Sequence, residues 1–294
     1  MRTLWSFLGN LLAVIISASI LAVTAAGQDC PVSTVVHLVD KQMHPIVNIT
    51  ADQIKAEIKD TRANVVSIAP TKPAIILVLD ASSSMKSTWE QSIGAARQVV
   101  AQAGDDISMF IFAEQIYAHA IGRAQSQDFL DRAAKQVPSG HHGTALYDTL
   151  IKIAGLAKNR SAAIVVISDG GDDMSLQSSD GTVSQFLHSA WPPVFGLILD
   201  HGHRERGYFK KITSATGELA IRPSSASNVP TSTTELMRIV LSSFTLELQP
   251  SQRIADMAKL KLQVIGAQGR PDKDISPLHV AEIVGCSTQR VVER

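Results

Sequence analysis

Ala74-Ile75-Ile76-Leu77-Val78-Leu79-Asp80-Ala81-Ser82-Ser83-Ser84 is the stretch from which the fold can be read. Residues 74–79 are apolar without polar alternation, which predicts a strand buried on both faces of a parallel sheet. Asp80 closes the run, and a hydroxyl-rich segment then leads into a helix. Residues 162–167 and 194–199 repeat the apolar pattern and are followed by acids, Asp169 after Ser168 and then Asp200. Residues 107–113 predict a fourth strand ending at Glu114. The acids therefore gather at the carboxyl ends of the strands, where open α/β sheets bind their ligands.

Helical patterns lie between these strands. Ser87-Thr88-Trp89-Glu90 fits a capping box. Trp89, Ile93, Ala96, Val100 and Ala103 then share one face before Gly104 stops the helix. Phe129, Leu130, Ala133, Ala134 and Val137 predict a short helix before Pro138. Leu146, Leu150, Ile153, Ala154 and Ala157 predict another. Residues 183–190, 208–216 and 231–243 complete the set, with Leu236, Ile239, Val240 and Phe244 facing inward in the last. Strands alternating with helices predict a doubly wound α/β domain with a mostly parallel central sheet and helices on both faces, over residues 73–244. The flanks, residues 27–72 and 245–294, read differently. Segments 33–39, 64–68, 244–248 and 260–265 alternate like half-buried strands, and predict a small β-rich addition packed against the α/β body. Whether they form a separate unit or complete the central sheet stays open. Residues 266–277, rich in Gly, Pro and charge, predict a loop, and 224–234 a surface loop running into a helix.

Further outward lies the amino terminus. Arg2 is followed by an uncharged stretch to Asp29 with an apolar centre, then Val23-Thr24-Ala25-Ala26-Gly27. This three-part pattern predicts a secretory signal over residues 1–26, cleaved after Ala25 or Ala26. An uncleaved membrane anchor is the alternative, since the stretch is long enough to span a bilayer. Either way the body is expected outside the cytoplasm: periplasmic, secreted or at the cell surface. Cys30 and Cys286 would meet an oxidising space there, and their pairing would tie the two ends together. With 27 Lys+Arg against 27 Asp+Glu, the chain lacks the basic excess of a protein whose main partner is nucleic acid. Two cysteines are too few for a disulfide-rich scaffold or a cysteine-ligated zinc finger.

The chemistry centres on Asp80, Ser82 and Ser84, alternate positions that can turn oxygens toward one centre. Neutral hydroxyls suit a hard cation such as Mg²⁺. Thr144 follows Gly143 and opens a helix, so it adds a third hydroxyl at a loop tip. Asp169 ends the neighbouring strand. His141 and His142 are expected as rim residues. His201-Gly202-His203 is expected as a solvated loop for want of a third ligand.

Asp80-x-Ser82-x-Ser84, followed by Thr144 and by Asp169 after an apolar strand, resembles the metal-ion-dependent adhesion site of the von Willebrand factor type A family. Residues 143–148 and 167–173 are in the style of its bacterial secreted branch. Residues 35–50 and 244–264 resemble the segments that lead into and out of the domain in that branch. Ala81 and Ser83 stand where the family often has glycine, at positions that supply no ligand side chain. The resemblance implies that Ser82, Ser84 and Thr144 bind the ion, while Asp80 and Asp169 hold its waters and orient the hydroxyls. Mg²⁺ is the implied ion, with Mn²⁺ or Ca²⁺ as substitutes. The implied function is an exported, non-enzymatic binding module in which the ion bridges to an Asp or Glu carboxylate of a protein partner. A membrane partner is implied only if the N-terminal segment is an uncleaved anchor.

Two other functions compete. Against a metal-dependent hydrolase, Asp80-Ala81-Ser82 lacks the second aspartate of an aspartyl-phosphate site, and the chain has no Gly-x-Ser-x-Gly elbow or phosphate loop, although two clustered acids with a metal can do chemistry. A scaffold subunit with a non-functional metal site is the other, because fold does not fix function.

Overall fold

The computed structural model describes residues 31–138, 143–157, 161–189, 191–199, 211–213, 219–251, 254, 258–266, 270–277 and 282–283. The segment expected as a signal, Cys30, Cys286, the histidines at 141, 142, 201 and 203, Asp200 and most of the helix expected over 208–216 lie outside the described residues.

In chain order the strands are β1 (Val32–Asp40), β2 (Ile54–Ile58), β3 (Thr61–Thr71), β4 (Ala74–Asp80), β5 (Ile107–Phe112), β6 (Ile116–Ile121), β7 (Ala162–Ser168), β8 (Val194–Ile198), β9 (Ala220–Ile221), β10 (Ser243–Pro250), β11 (Ala258–Val264), β12 (Ile275–Pro277) and β13 (Glu282–Ile283). The α-helices are α1 (Trp89–Ala103), α2 (Arg123–Ala133), α3 (Leu146–Leu156), α4 (Ser179–Ser189) and α5 (Val229–Val240).

Six strands form one sheet in the order β6-β5-β4-β7-β8-β9. Every neighbouring pair is parallel except β5–β6, so an antiparallel edge strand closes one side. The central strands alternate their side chains between two cores. Ile75, Leu77 and Leu79 of β4 pack with α1, α2 and α5, while Ile76 and Val78 pack with α3 and α4. An uninterrupted apolar run is what two covered faces require.

The helices depart from expectation at their ends. No capping box forms before α1. A 3₁₀ segment, Ser83–Thr88, precedes it, and Thr88 turns its hydroxyl back to the Met85 carbonyl at 3.2 Å instead of capping. Gly104, at φ +80°, ends α1 as expected. Helix α2 begins at Arg123 rather than near Phe129 and stops at Ala133, which leaves Val137 exposed. Phe244 is not on α5 but on β10, buried in the second sheet.

That second sheet corrects the expectation of small flanking segments. Seven strands, all antiparallel, run in the order β12-β1-β10-β3-β2-β11-β13. It has its own core of Val36, Leu38, Ala56, Leu246, Leu248 and Leu260, among others. Strands from both ends of the chain interleave: β10 lies between β1 and β3, with Val36 opposite Phe244 and Leu246 opposite Ile68. Residues 275–277 contribute β12 where a loop was expected. Lys59 and Asp60, at φ +50° and +61°, form the two-residue turn joining β2 and β3, as a type I′ hairpin requires.

The chain leaves the antiparallel sheet through Lys72-Pro73 and returns through Leu241-Ser242, and the two crossings are side by side. Ser243 pairs with Thr71 and its hydroxyl donates to the Thr71 carbonyl at 2.7 Å. Between the sheets, Val39 of β1 joins the α1–α5 core, and His37 meets Phe195 of β8 edge-on, ring centroids 5.1 Å apart. The α/β part is thus inserted between two neighbouring strands and packed against β1.

Candidate metal centre

Three loops converge at the carboxyl end of the parallel sheet. The end of β5 ties two of them together. The Ala81 N–H donates to the Phe112 carbonyl at 2.7 Å, and the Ala145 N–H to the next carbonyl, Ala113, at 2.8 Å. The segments bearing Ser82 and Thr144 therefore leave from consecutive anchor points. The third loop is joined by a side chain: the Ser168 hydroxyl, at the end of β7, donates to Asp80 Oδ2 at 2.6 Å. The structure thus brings the surroundings of all five expected residues, Asp80, Ser82, Ser84, Thr144 and Asp169, to one sheet end.

Asp80 is fully buried. Its Oδ1 accepts the Ser82 N–H at 2.8 Å, closing a tight turn that aims the following segment back over the carboxylate. The Ser82 carbonyl accepts the Met85 N–H at 3.0 Å and starts the 3₁₀ segment. That geometry sets the Ser82 and Ser84 hydroxyl oxygens 3.0 Å apart. Ser82 is buried and Ser84 exposed, so the pair runs from the interior to solvent. Burial pushes the Asp80 carboxyl up from its ordinary 3.8 to about 6; hydrogen bonds from Ser168 and Ser82 oppose this, and the nearby Asp169 charge adds to it. A buried carboxylate with a second acid beside it is a place where a cation is electrostatically favoured.

Asp169 is buried and accepts the Gly171 N–H at 2.8 Å. Gly170, at φ +79°, lets the chain turn sharply here and donates its N–H to the Ser168 hydroxyl at 2.9 Å. Thr144 is buried and clamped by the loop after Asp169. Its N–H donates to Asp173 Oδ1 at 2.6 Å, and its carbonyl accepts from Asp173 and Met174, each at 3.0 Å. Gly143 makes the clamp possible: a Cβ there would lie 2.3 Å from Met174 Cγ and 2.9 Å from Asp173 Oδ1.

Several functional residues escaped the sequence reading. Ser168 looked like a spacer before Asp169, yet it links the acid loops through Asp80. Asp172, in the loop after Asp169, is a second such residue. It caps α3 from a distant loop, accepting the Tyr147 N–H at 2.8 Å and the Ser175 hydroxyl at 2.6 Å. Asp148 returns the tie, accepting the Leu176 and Gln177 N–H groups at 2.9 and 3.1 Å. Acids in the first turn of α3 and after β7 were the available signal. Their mutual arrangement was not readable, because it depends on chain segments far apart.

The donor set fits a small hard cation. The Ser82 and Ser84 hydroxyls are hydrogen-bonded to each other at 3.0 Å, a separation that also lets both meet one octahedral ion, whose oxygens at roughly 2.1 Å sit about 3.0 Å from their neighbours. Among the described residues, no group of three or more His, Cys, Asp or Glu side chains is disposed to hold a metal, so a metal here would depend on hydroxyls and water.

No curated protein matches the chain. Solved structures similar to it include a von Willebrand factor type A protein from Catenulispora acidiphila, at 10% identity, covering 88% of this chain and 74% of that one, with a TM-score of 0.47. Proximal thread matrix protein 1 from the mussel byssus is similar at 15% identity over 63% of this chain, TM-score 0.45, and this chain spans half of its length. Manganese-loaded TRAP protein from Plasmodium vivax is similar at 8% identity, covering 76% of this chain and 96% of that one, TM-score 0.43. These likenesses are too distant to carry function. Residues 75–171, which run from β4 past Asp169, match the family model of the von Willebrand factor type A domain. That match spans the strand, the hydroxyl loop and the acid loop, so this segment of the chain is similar to the von Willebrand factor type A domain.

Proposed function

We propose that this chain is an exported interaction module that grips a protein partner through a divalent cation, Mg²⁺ first, with Mn²⁺ as its nearest substitute. Ser82, Ser84 and Thr144 hold the ion. Asp80 and Asp169 orient the hydroxyls and bound waters from behind. The observation that carries this reading is the hydroxyl pair 3.0 Å apart above the buried Asp80. When bound, the ion supplies an incompletely neutralised charge with an open position, which suits an Asp or Glu carboxylate of a partner. The chain's own part is to keep anionic ligands out of direct contact, so that this charge is not spent internally. Export rests on the N-terminal pattern of a charged residue, an apolar core and a small-residue site. Among the described residues no helix is long and apolar enough to cross a membrane.

Thermal melts of the mature chain with and without millimolar Mg²⁺, beside Asp80→Ala, test the reading. An ion at ten times its dissociation constant adds about 1.4 kcal/mol, a shift of roughly 3–6 °C for a domain of this size. The shift is expected in the natural chain and not in the variant. Its absence with Mg²⁺, Mn²⁺ and Ca²⁺ alike would refute the proposed site.

A further inference from the structure

The antiparallel sheet has a seam. β12 pairs with β1, Leu38 opposite Pro277 and Asp40 opposite Ile275, while β13 pairs with β11, Ala258 opposite Ile283. Both strands belong to one short segment, residues 275–283, and β12 also packs beside β11. The segment therefore has β1 on one side and β11 on the other, antiparallel to each, and it turns the open sheet into a closed barrel. β12 and β13 are the shortest strands of the sheet, three and two residues long, and Pro277 brings no N–H to the ladder. At one end the Lys41–Asp274 ion pair spans the seam at 2.5 Å, but both partners are exposed, so it adds little. At the other end the described pairing stops at Ile283.

We infer that a disulfide between Cys30 and Cys286 locks this seam. Carried along from Leu38–Pro277, the β1–β12 register sets Val32 opposite Ile283. Val32 and Ala258, the residue that pairs with Ile283 from the other side, lie in one core, as that register requires. Cys30 stands two residues before Val32 and Cys286 three after Ile283. Because the strands are antiparallel, the two cysteines continue from the same end of the barrel. With about 3.3 Å of rise per residue and about 4.8 Å between strands, a one-residue offset puts their Cα atoms about 6 Å apart, within the span of a disulfide. Gly285, before Cys286, leaves the backbone free to turn both sulfurs to one side. Each thiol gives up one proton and one electron as the S–S bond forms, and a disulfide oxidant such as oxidised glutathione takes them and becomes two thiols. The covalent loop encloses nearly all of the mature chain, so it restricts the unfolded ensemble strongly. The pairing is a property of the folded chain and does not rest on the cation reading.

The test starts from the reduced, folded mature chain and adds oxidised glutathione without denaturant. Both thiols are expected to disappear together. A tryptic digest kept from reductant should then contain the fragment ending at Lys41 joined to residues 274–290. Reduction should lower the melting temperature by roughly 5–15 °C. Cys30→Ser with Cys286→Ser should melt like the reduced natural chain and ignore the oxidant. Cys286→Ser alone should instead take up one glutathione at Cys30, which shows that the thiol is reachable when its partner is gone. Thiols of the natural chain that stay open to maleimide, glutathione carried on both cysteines, or disulfide-linked dimers would each overturn the inference. A joined pair whose reduction leaves the melt unchanged would overturn the locking role.

Discussion

The two sheets of this molecule are built from the chain in opposite ways. The parallel sheet takes its strands from one continuous stretch, β4 to β9, and its central strands are buried on both faces. The antiparallel sheet draws β1 to β3 from before that stretch and β10 to β13 from after it; away from β1, which the α/β part covers, burial is one-sided, as in the alternating Ile54–Ile58 pattern. Two-sided burial writes itself as an unbroken apolar run, while one-sided burial leaves only alternation. The candidate site follows the first kind of sheet, because loops at strand ends inherit their positions from a rigid, fully packed support.

The comparison can be broken most directly through the cores. Leu77→Ala and Leu246→Ala remove fully buried side chains, one in each sheet, and each should cost about 3–5 kcal/mol. The side-by-side crossings and the packing of Val39 and His37 on the α/β part make the two sheets one cooperative unit. Calorimetry should show both variants lowering a single transition. Two separate transitions, each sensitive to one variant only, would show that the sheets fold independently.

A second effect, smaller and confined to the α/β part, comes from Asp80. Its carboxyl holds a proton up to about 6 in the fold, against 3.8 ordinarily. The folded state therefore binds more protons between those values. Without metal, this stabilising contribution is present in full below pH 4 and is lost as pH rises through 6, a change of roughly 3 kcal/mol. Asp80→Asn should remove that slope, read as the difference between the two proteins in denaturant midpoints from pH 4 to 7. Mg²⁺ should offset the loss in the natural chain above pH 6 and leave the variant unaffected. Parallel pH profiles for the two proteins would contradict this assignment.

The smallest effect sharpens the comparison from the antiparallel side. Lys59 occupies a positive φ that suits Asn better. Lys59→Asn should raise stability by about 0.5–1 kcal/mol in urea unfolding, without altering metal response. A loss of stability would mean that the turn geometry is not what limits this hairpin.

What could be read in advance divides along the same line. The runs at 74–79, 162–167 and 194–199 announced β4, β7 and β8, and the Asp-x-Ser-x-Ser turn announced the hydroxyl loop. β6 was missed because Ile116-Tyr117-Ala118-His119-Ala120-Ile121 is an edge strand with mixed polarity, and β2 because its five residues include two charges. The size of the second sheet was illegible because pairing Val36 with Phe244, or Leu260 with Ile58, joins residues with no local signal for each other. The hydroxyls and acids of the candidate site were legible as residue types in order. Their clamps were not: Ser168 on Asp80, Asp173 on Thr144 and Asp172 on α3 are contacts between loops that meet only once the sheet has formed.

The central claim is that Ser82, Ser84 and Thr144 hold one divalent cation above Asp80. The most direct test is a Mn²⁺ titration of the mature chain followed by the electron paramagnetic resonance signal of the free ion. The account predicts one bound ion per chain, competed by Mg²⁺ more readily than by Ca²⁺. It also predicts affinity at least tenfold weaker in Ser84→Ala, the exposed ligand whose removal leaves the buried turn intact. A free-ion signal undiminished by the natural chain, or binding that the Ser84→Ala and Asp80→Asn variants share undiminished, would contradict it.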